Sequence, residues 1–175
     1  VIITDPRGCI EYVNPAFERL TGYAQDEAVG GKPSLLKSGR HDKAFYQVIW
    51  QTVLKGEIFR GTLVNRKKNG ELFYEEKVIT PLTDNQGRIT HLVSTGRDIT
   101  ARVKAEEARA QLVTILEATT DLVAILDPAG CLRYLNNAGY RLLGLDPKVD
   151  ISKFCLKELF PERIAHLLQL SLIHI

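Results

Sequence analysis

Three cysteines, four histidines and a scatter of acids are the side chains of this 175-residue sequence with the most obvious capacity for chemistry. Cys9, Cys131 and Cys155 are odd in number and show no CxxC spacing, which argues against a disulfide framework or a zinc site and fits a reducing compartment. His41 and His91 each stand alone, and a lone histidine more often serves a loop or a sheet than an iron atom, so haem is not expected. His166 lies in AHLLQL, without the following glutamate of a phosphoacceptor helix. No Walker loop, GxGxxG, GxSxG or HExxH occurs. The sequence therefore assigns no catalytic residue and no metal ligand, and the chain is not expected to be an enzyme in its own right.

Composition narrows the classes further. Apolar residues make up 45% and charged residues 25%, the balance of a chain with enough apolar side chains for a core. A net charge of +2 gives no reason to expect nucleic acid, whose binders concentrate basic charge on one face. The run Arg66-Lys67-Lys68 reads as a solvated hairpin tip. No apolar stretch reaches the roughly 18 residues that span a bilayer, so no membrane contact is expected and a cytoplasmic location is. The sequence starts at Val1 and has no methionine, so its true beginning is expected to be missing.

An internal repeat organises the elements. VIITDPRGCIEYVNPAFERLTGY returns about 120 residues later as VAILDPAGCLRYLNNAGYRLLGL, a period that means a duplicated domain rather than a solenoid. Each copy reads as strand, turn, strand, helix. Asp-Pro-x-Gly makes the turn. Residues 10–13 alternate like a half-buried strand. Asn14 is placed to cap a helix with Pro15 at its first position, and Gly22 ends it.

The first copy continues with a helix capped by Asp42, whose Phe45, Ile49 and Val53 share a face with Trp50 beside them, stopping near Gly56. Strands at 58–65 and 72–82 flank Asn69-Gly70, the strongest hairpin signal present. A turn at 84–87 leads to a last strand over 89–97. From residue 101 the sequence ARVKAEEARAQLVTILEA is rich in helix formers, with Thr100 as its expected cap. Ala105, Ala108, Leu112 and Ile115 step by three and four, as in a short coiled-coil seam.

NPAFERLTGY, GGKPSLLKSG, NRKKNGELFYEE and GRDIT together resemble the PAS fold and its PAC segment. The resemblance implies an α+β class: a five-stranded antiparallel sheet with helices on one face, then a linker helix and a partial second PAS domain. The expected domains are 1–100, the linker 101–119, and a truncated copy over 120–175. It also implies a sensory module of a signalling protein that dimerises through PAS and linker. Such a module passes a ligand or redox signal through the DIT motif, here Asp98, Ile99 and Thr100, to an output domain, foremost a histidine kinase of a two-component system. A small-molecule ligand is one partner so implied; a ligand-free dimerisation scaffold with filled pockets is the alternative.

Within that family the LLKSG loop (35–39) and hairpin are similar to flavin-binding members, including redox sensors and the light-sensing LOV group. Asn65 falls where LOV domains set an asparagine against the flavin. Asn65, Trp50, Leu36 and Glu75 are thus the candidate pocket residues, although Asn65 also suits a strand end and Trp50 core packing. Ser34 stands where LOV domains carry their reactive cysteine, which excludes a cysteinyl adduct. Glu75 replaces a second asparagine and Gly96 a glutamine. Non-covalent flavin, a small metabolite and an empty pocket all remain on the table. In the second copy the hairpin strands are missing, so 122–175 is expected to be less stable than the first domain, and the closing SLIHI unlike a natural domain end.

Overall fold

The structure is a computed structural model that describes residues 1–155. It divides into two compact units, Val1–Ala105 and Glu106–Ile175.

In the first unit five strands form one antiparallel sheet in the order β2-β1-β5-β4-β3. They are β1 (Ile2–Thr4), β2 (Ile10–Val13), β3 (Phe59–Arg66), β4 (Leu72–Thr83) and β5 (Ile89–Asp98). β1 meets the last strand in the register Ile2↔Ser94, Ile3↔Val93, Thr4↔Leu92, so the two ends of the unit close on each other. Gly70, at φ 90°, takes the hairpin between β3 and β4 through a conformation that residues with a Cβ rarely adopt.

The helices follow their predicted caps. α1 (Pro15–Thr21) begins where Asn14 accepts from the Phe17 amide, and α3 (Lys43–Leu54) where Asp42 accepts from the Phe45 amide at 2.8 Å. A short α2 (Gln25–Ala28) and a 3-10 turn (Pro33–Leu36) lie between them. Ile2, Ile10, Val13, Phe17, Ala28 and Leu36 form a core cluster. Each of its large apolar side chains contributes about 1.5–3 kcal/mol by leaving water. Phe73 of β4 is also fully buried.

The start of α4 (Thr100–Ala118) differs from its predicted cap. Asp98 caps it instead, its Oδ1 accepting from the Thr100 amide at 2.8 Å and from the Thr100 hydroxyl. This leaves the Thr100 Oγ1 free to accept from the Tyr74 amide at 2.9 Å. The Ile99 amide donates to the Tyr74 carbonyl at 2.9 Å, so one residue of β4 grips both. The basic hairpin tip is solvated as predicted, with Arg66 and Lys68 exposed. On that surface Arg66 donates to the Lys37 carbonyl, Lys67 pairs with Glu71 and Lys68 with Glu27.

The described part of the second unit repeats the opening motif: β6 (Ala124–Leu126), β7 (Leu132–Leu135) and α5 (Asn137–Leu143), with Asn136 in the place of Asn14. Asn136 is fully buried and donates to the carbonyls of Leu116 and Asp121. Beside it the Tyr134 hydroxyl donates to Glu117 at 2.6 Å, which pushes the phenol up to about 12. The expectations that the second copy lacks its hairpin strands and that SLIHI is unlike a natural domain end fall on the stretch outside the described residues.

The cysteine reading is overturned here. Cys131 and Cys155 face each other across an antiparallel bridge and their sulfurs are joined in a disulfide, leaving Cys9 as a free thiol. Spacing could not reveal this, because the 24-residue separation is closed by the fold rather than by a local motif. Thiol titration of the unreduced chain should find one reactive cysteine, Cys9; a count of three would remove the cross-link. Reduction should cost the second unit about 2–4 kcal/mol.

Candidate ligand cavity

Between α3, the 3-10 segment and the inner sheet face of the first unit lies a cavity of about 530 Å³, within the usual range of ligand sites. Its walls are mostly apolar, with Leu36, Ile49, Val53, Leu63, Ile79 and Leu92 among them. Among the described residues no side chain fills it, which runs against the filled-pocket alternative for this unit.

Sheet register builds its polar floor. β3 and β4 are paired so that Leu63 faces Glu75 and Asn65 faces Phe73, and alternate residues of β4 point the same way. Asn65, Glu75 and Lys77 are therefore brought together under the cavity at 4%, 6% and 5% exposure. Asn65 Nδ2 donates to Glu75 Oε2 at 2.7 Å, and Lys77 Nζ donates to both Glu75 oxygens at 3.0 and 3.2 Å. Buried charge is tolerated only when paired and hydrogen-bonded, and these bonds meet that condition. Asn65 and Lys77 reach the cavity surface while Glu75 secures them from behind. A Cβ at Gly96 would lie 1.7 Å from Glu75 Oε1, so the glycine is the space the carboxylate occupies.

Two cavity hydroxyls, Tyr46 Oη and Ser94 Oγ, are buried with no partner among the described residues. An unmade hydrogen bond on a buried group is costly, so both are suited to a ligand's polar atoms. Burial also raises the Tyr46 pKa. The exposed Arg7, Lys32 and Lys37 stand around the opening, and no acidic residue among the described residues lines it. Trp50 does not pack in the core as α3's periodicity suggested. It is 37% exposed and lies along the cavity, its ring against Gly8, where a Cβ would come within 2.6 Å.

One wall is tied down by side chains the sequence did not connect. Ser38 Oγ donates to the Val64 carbonyl, and the Val64 amide donates to His41 Nε2 at 2.8 Å. Lys37 also bridges to Asn65. Of the sequence-predicted residues, Leu36, Trp50 and Asn65 line the cavity, Glu75 supports its floor, and Asp98, Ile99 and Thr100 sit at the α4 start. Lys77, Ser94 and Tyr46 were missed: only the β4 alternation hinted at Lys77, and it looked like an ordinary surface lysine.

A five-stranded antiparallel sheet with short helices beside a ligand-sized cavity, and a helix leaving from the last strand, is the layout that the sequence resemblance implied. Comparison with known families agrees, and the chain belongs to the PAS family: the PAS fold matches residues 1–99 and a PAS domain matches residues 110–172. A nitrogen fixation regulatory protein of Klebsiella oxytoca is 36% identical over 118 residues, covering 67% of this chain and 24% of that protein. A blue-light-activated histidine kinase of Brucella canis is 33% identical over 103 residues, covering 57% of this chain and 21% of the kinase. The chain thus spans about a quarter or less of the length of these relatives. Among solved structures, an RNA-binding Light-Oxygen-Voltage receptor is 29% identical with a TM-score of 0.58, covering 65% of this chain and 33% of that one. The LOV domain of a blue-light-activated histidine kinase from Erythrobacter litoralis is 25% identical with a TM-score of 0.53, covering 57% and 94%. The chain is a PAS sensor module of the signalling type. No helix among the described residues is long and apolar enough to cross a membrane.

Proposed function

We propose that the first PAS unit binds a small ligand in its cavity and reports occupancy through the start of α4 to an output domain beyond this chain, a histidine kinase being the output we favour. One observation carries the reading. Glu75, at the cavity floor, is the chain neighbour of Tyr74, whose backbone grips both Ile99 and Thr100. Glu75 also lies opposite Asp98, the cap of α4, in the strand register. A ligand that draws on Lys77 must change the balance of bonds on Glu75, and so the strand that holds the helix. Such coupling needs only a difference in affinity between two arrangements of that junction.

Asn65, Trp50, Leu36 and Glu75 are the proposed pocket residues, with Lys77, Ser94 and Tyr46 added; Asp98, Ile99 and Thr100 are the transmission residues. Domains at 1–100, 101–119 and 120–175, a cytoplasmic setting and no catalysis by this chain complete the proposal. Leu112 and Ile115, 62% and 57% exposed, supply the seam of a homodimer. RNA binding belongs to the receptor so described, and the +2 charge here gives no reason to extend it.

The chain's single tryptophan is Trp50, so its emission reports directly on the cavity. Ligand should shift that emission and, together with it, change hydrogen exchange at the Ile99 and Thr100 amides. Emission changes without any change at those amides would sink the signalling reading while leaving binding intact.

A non-covalent flavin nucleotide is the second reading. The rim cations favour it, since they suit an anionic tail while the floor offers hydrogen bonds to ring carbonyls. Flavin-loaded protein should show the blue absorption band, and illumination should leave no adduct bleaching, because Ser34 lines the cavity where an adduct would need a thiol.

A further inference from the structure

We propose that His41 is a proton-operated latch on the cavity wall. Its Nε2 accepts the Val64 amide proton at 2.8 Å, which requires that nitrogen to be unprotonated and the ring proton to sit on Nδ1. The ring is fixed from the other side by α3, stacked on Phe45 at 4.1 Å between centroids and edge-on to Tyr46. It therefore has no easy rotation that would turn the other nitrogen toward Val64.

The bond fastens residues 37–41 to β3, alongside the Ser38 and Arg66 bonds to the same strand. Ser34, Leu36 and Lys37, just before it, line the cavity. Histidine is the side chain that ordinarily changes charge between about pH 5 and 8. On protonation Nε2 becomes a donor facing a donor, and Val64 loses its acceptor. Among the described residues the charged groups around the ring offer no substitute. Lys37 holds its ammonium over Tyr46 at 4.7 Å, Arg40 flanks His41, and Arg66 is bonded to the Lys37 carbonyl. Asp42, the neighbouring carboxylate, is occupied in capping α3 at Phe45. Acidification thus unfastens the wall segment. Resting on the proposed sensing role, this makes cavity access respond to pH as well as to ligand.

The test uses the whole 175-residue chain. Nitrogen-15 shifts of His41 at neutral pH should show the proton on Nδ1; a proton on Nε2 overturns the proposal. Exchange of the Val64 amide, corrected for its intrinsic pH dependence, should accelerate about tenfold or more when His41 is protonated. His41→Gln keeps an acceptor that does not titrate, so Val64 should stay protected across the same range. His41→Phe keeps the stacking without the acceptor, so Val64 should exchange quickly throughout. Unchanged Val64 protection in the wild type, or a wild-type pH response in His41→Gln, would refute the latch. Neither result bears on whether a ligand binds, which Trp50 emission reads separately.

Discussion

Replacing Lys77 with methionine is expected to destabilise the first unit by about 3–5 kcal/mol, as seen when one member of a buried ion pair is removed. The side chains of Lys77 and Glu75 are only 7% and 8% exposed, so water cannot take over the lost partner. Asn65 alone would face the carboxylate, with a single donated bond. The companion variant Glu75→Leu/Lys77→Met removes both charges and should recover most of the loss, since an apolar pair avoids the desolvation cost altogether. Urea unfolding followed through Trp50 reports on this unit alone. If the single change costs under about 1 kcal/mol, or the double variant is no better than the single, the pair is not the buried element described here. A stable double variant would also have a functional use. It would keep the cavity while lacking the floor charge, and ligand-dependent exchange at Ile99 and Thr100 should be lost with it.

Much of this fold could be read from the sequence because its signals are local. Asn14 with Pro15, Asp42, and Asn69-Gly70 each act within a few residues, and each acts as predicted. The closing of β1 onto β5 was available only through the family resemblance, because pairing Ile2 with Ser94 leaves no short-range trace. The cavity floor was partly legible for the same reason. Asn65 stood out by likeness to flavin-binding relatives, whereas Lys77, two residues from Glu75 on the same face of β4, became a cavity residue only because that face is turned inward. Thr100 was misread because Asp98, two residues earlier, can fold back onto the helix start, and which oxygen caps depends on where Tyr74 lies. The Cys131–Cys155 link is the extreme case: two residues joined by tertiary structure alone.

Gly96→Ala carries the second large effect, and it tests whether two departures from the flavin-binding pattern are really one. Glu75 and Gly96 looked like separate losses of an asparagine and a glutamine. In the sheet they are complementary: the new Cβ would lie 1.7, 2.4 and 2.8 Å from Glu75 Oε1, Cδ and Cγ, so the acid exists where it does only because position 96 is empty. Gly96 does not have a positive φ, so backbone strain plays no part and the whole penalty is steric. Because Glu75 is held by Asn65 and Lys77, it cannot swing aside without breaking those bonds, and overpacking should cost about 1–3 kcal/mol. In a Glu75→Ala/Lys77→Met background the obstruction and the stranded charge are both gone. There the same Gly96→Ala change should be neutral or slightly stabilising, since alanine suits a strand interior better than glycine. The coupling between the two sites is therefore expected to exceed about 1 kcal/mol, as for residues in direct contact. Equal costs in both backgrounds would mean that Gly96 serves something other than making room for the carboxylate.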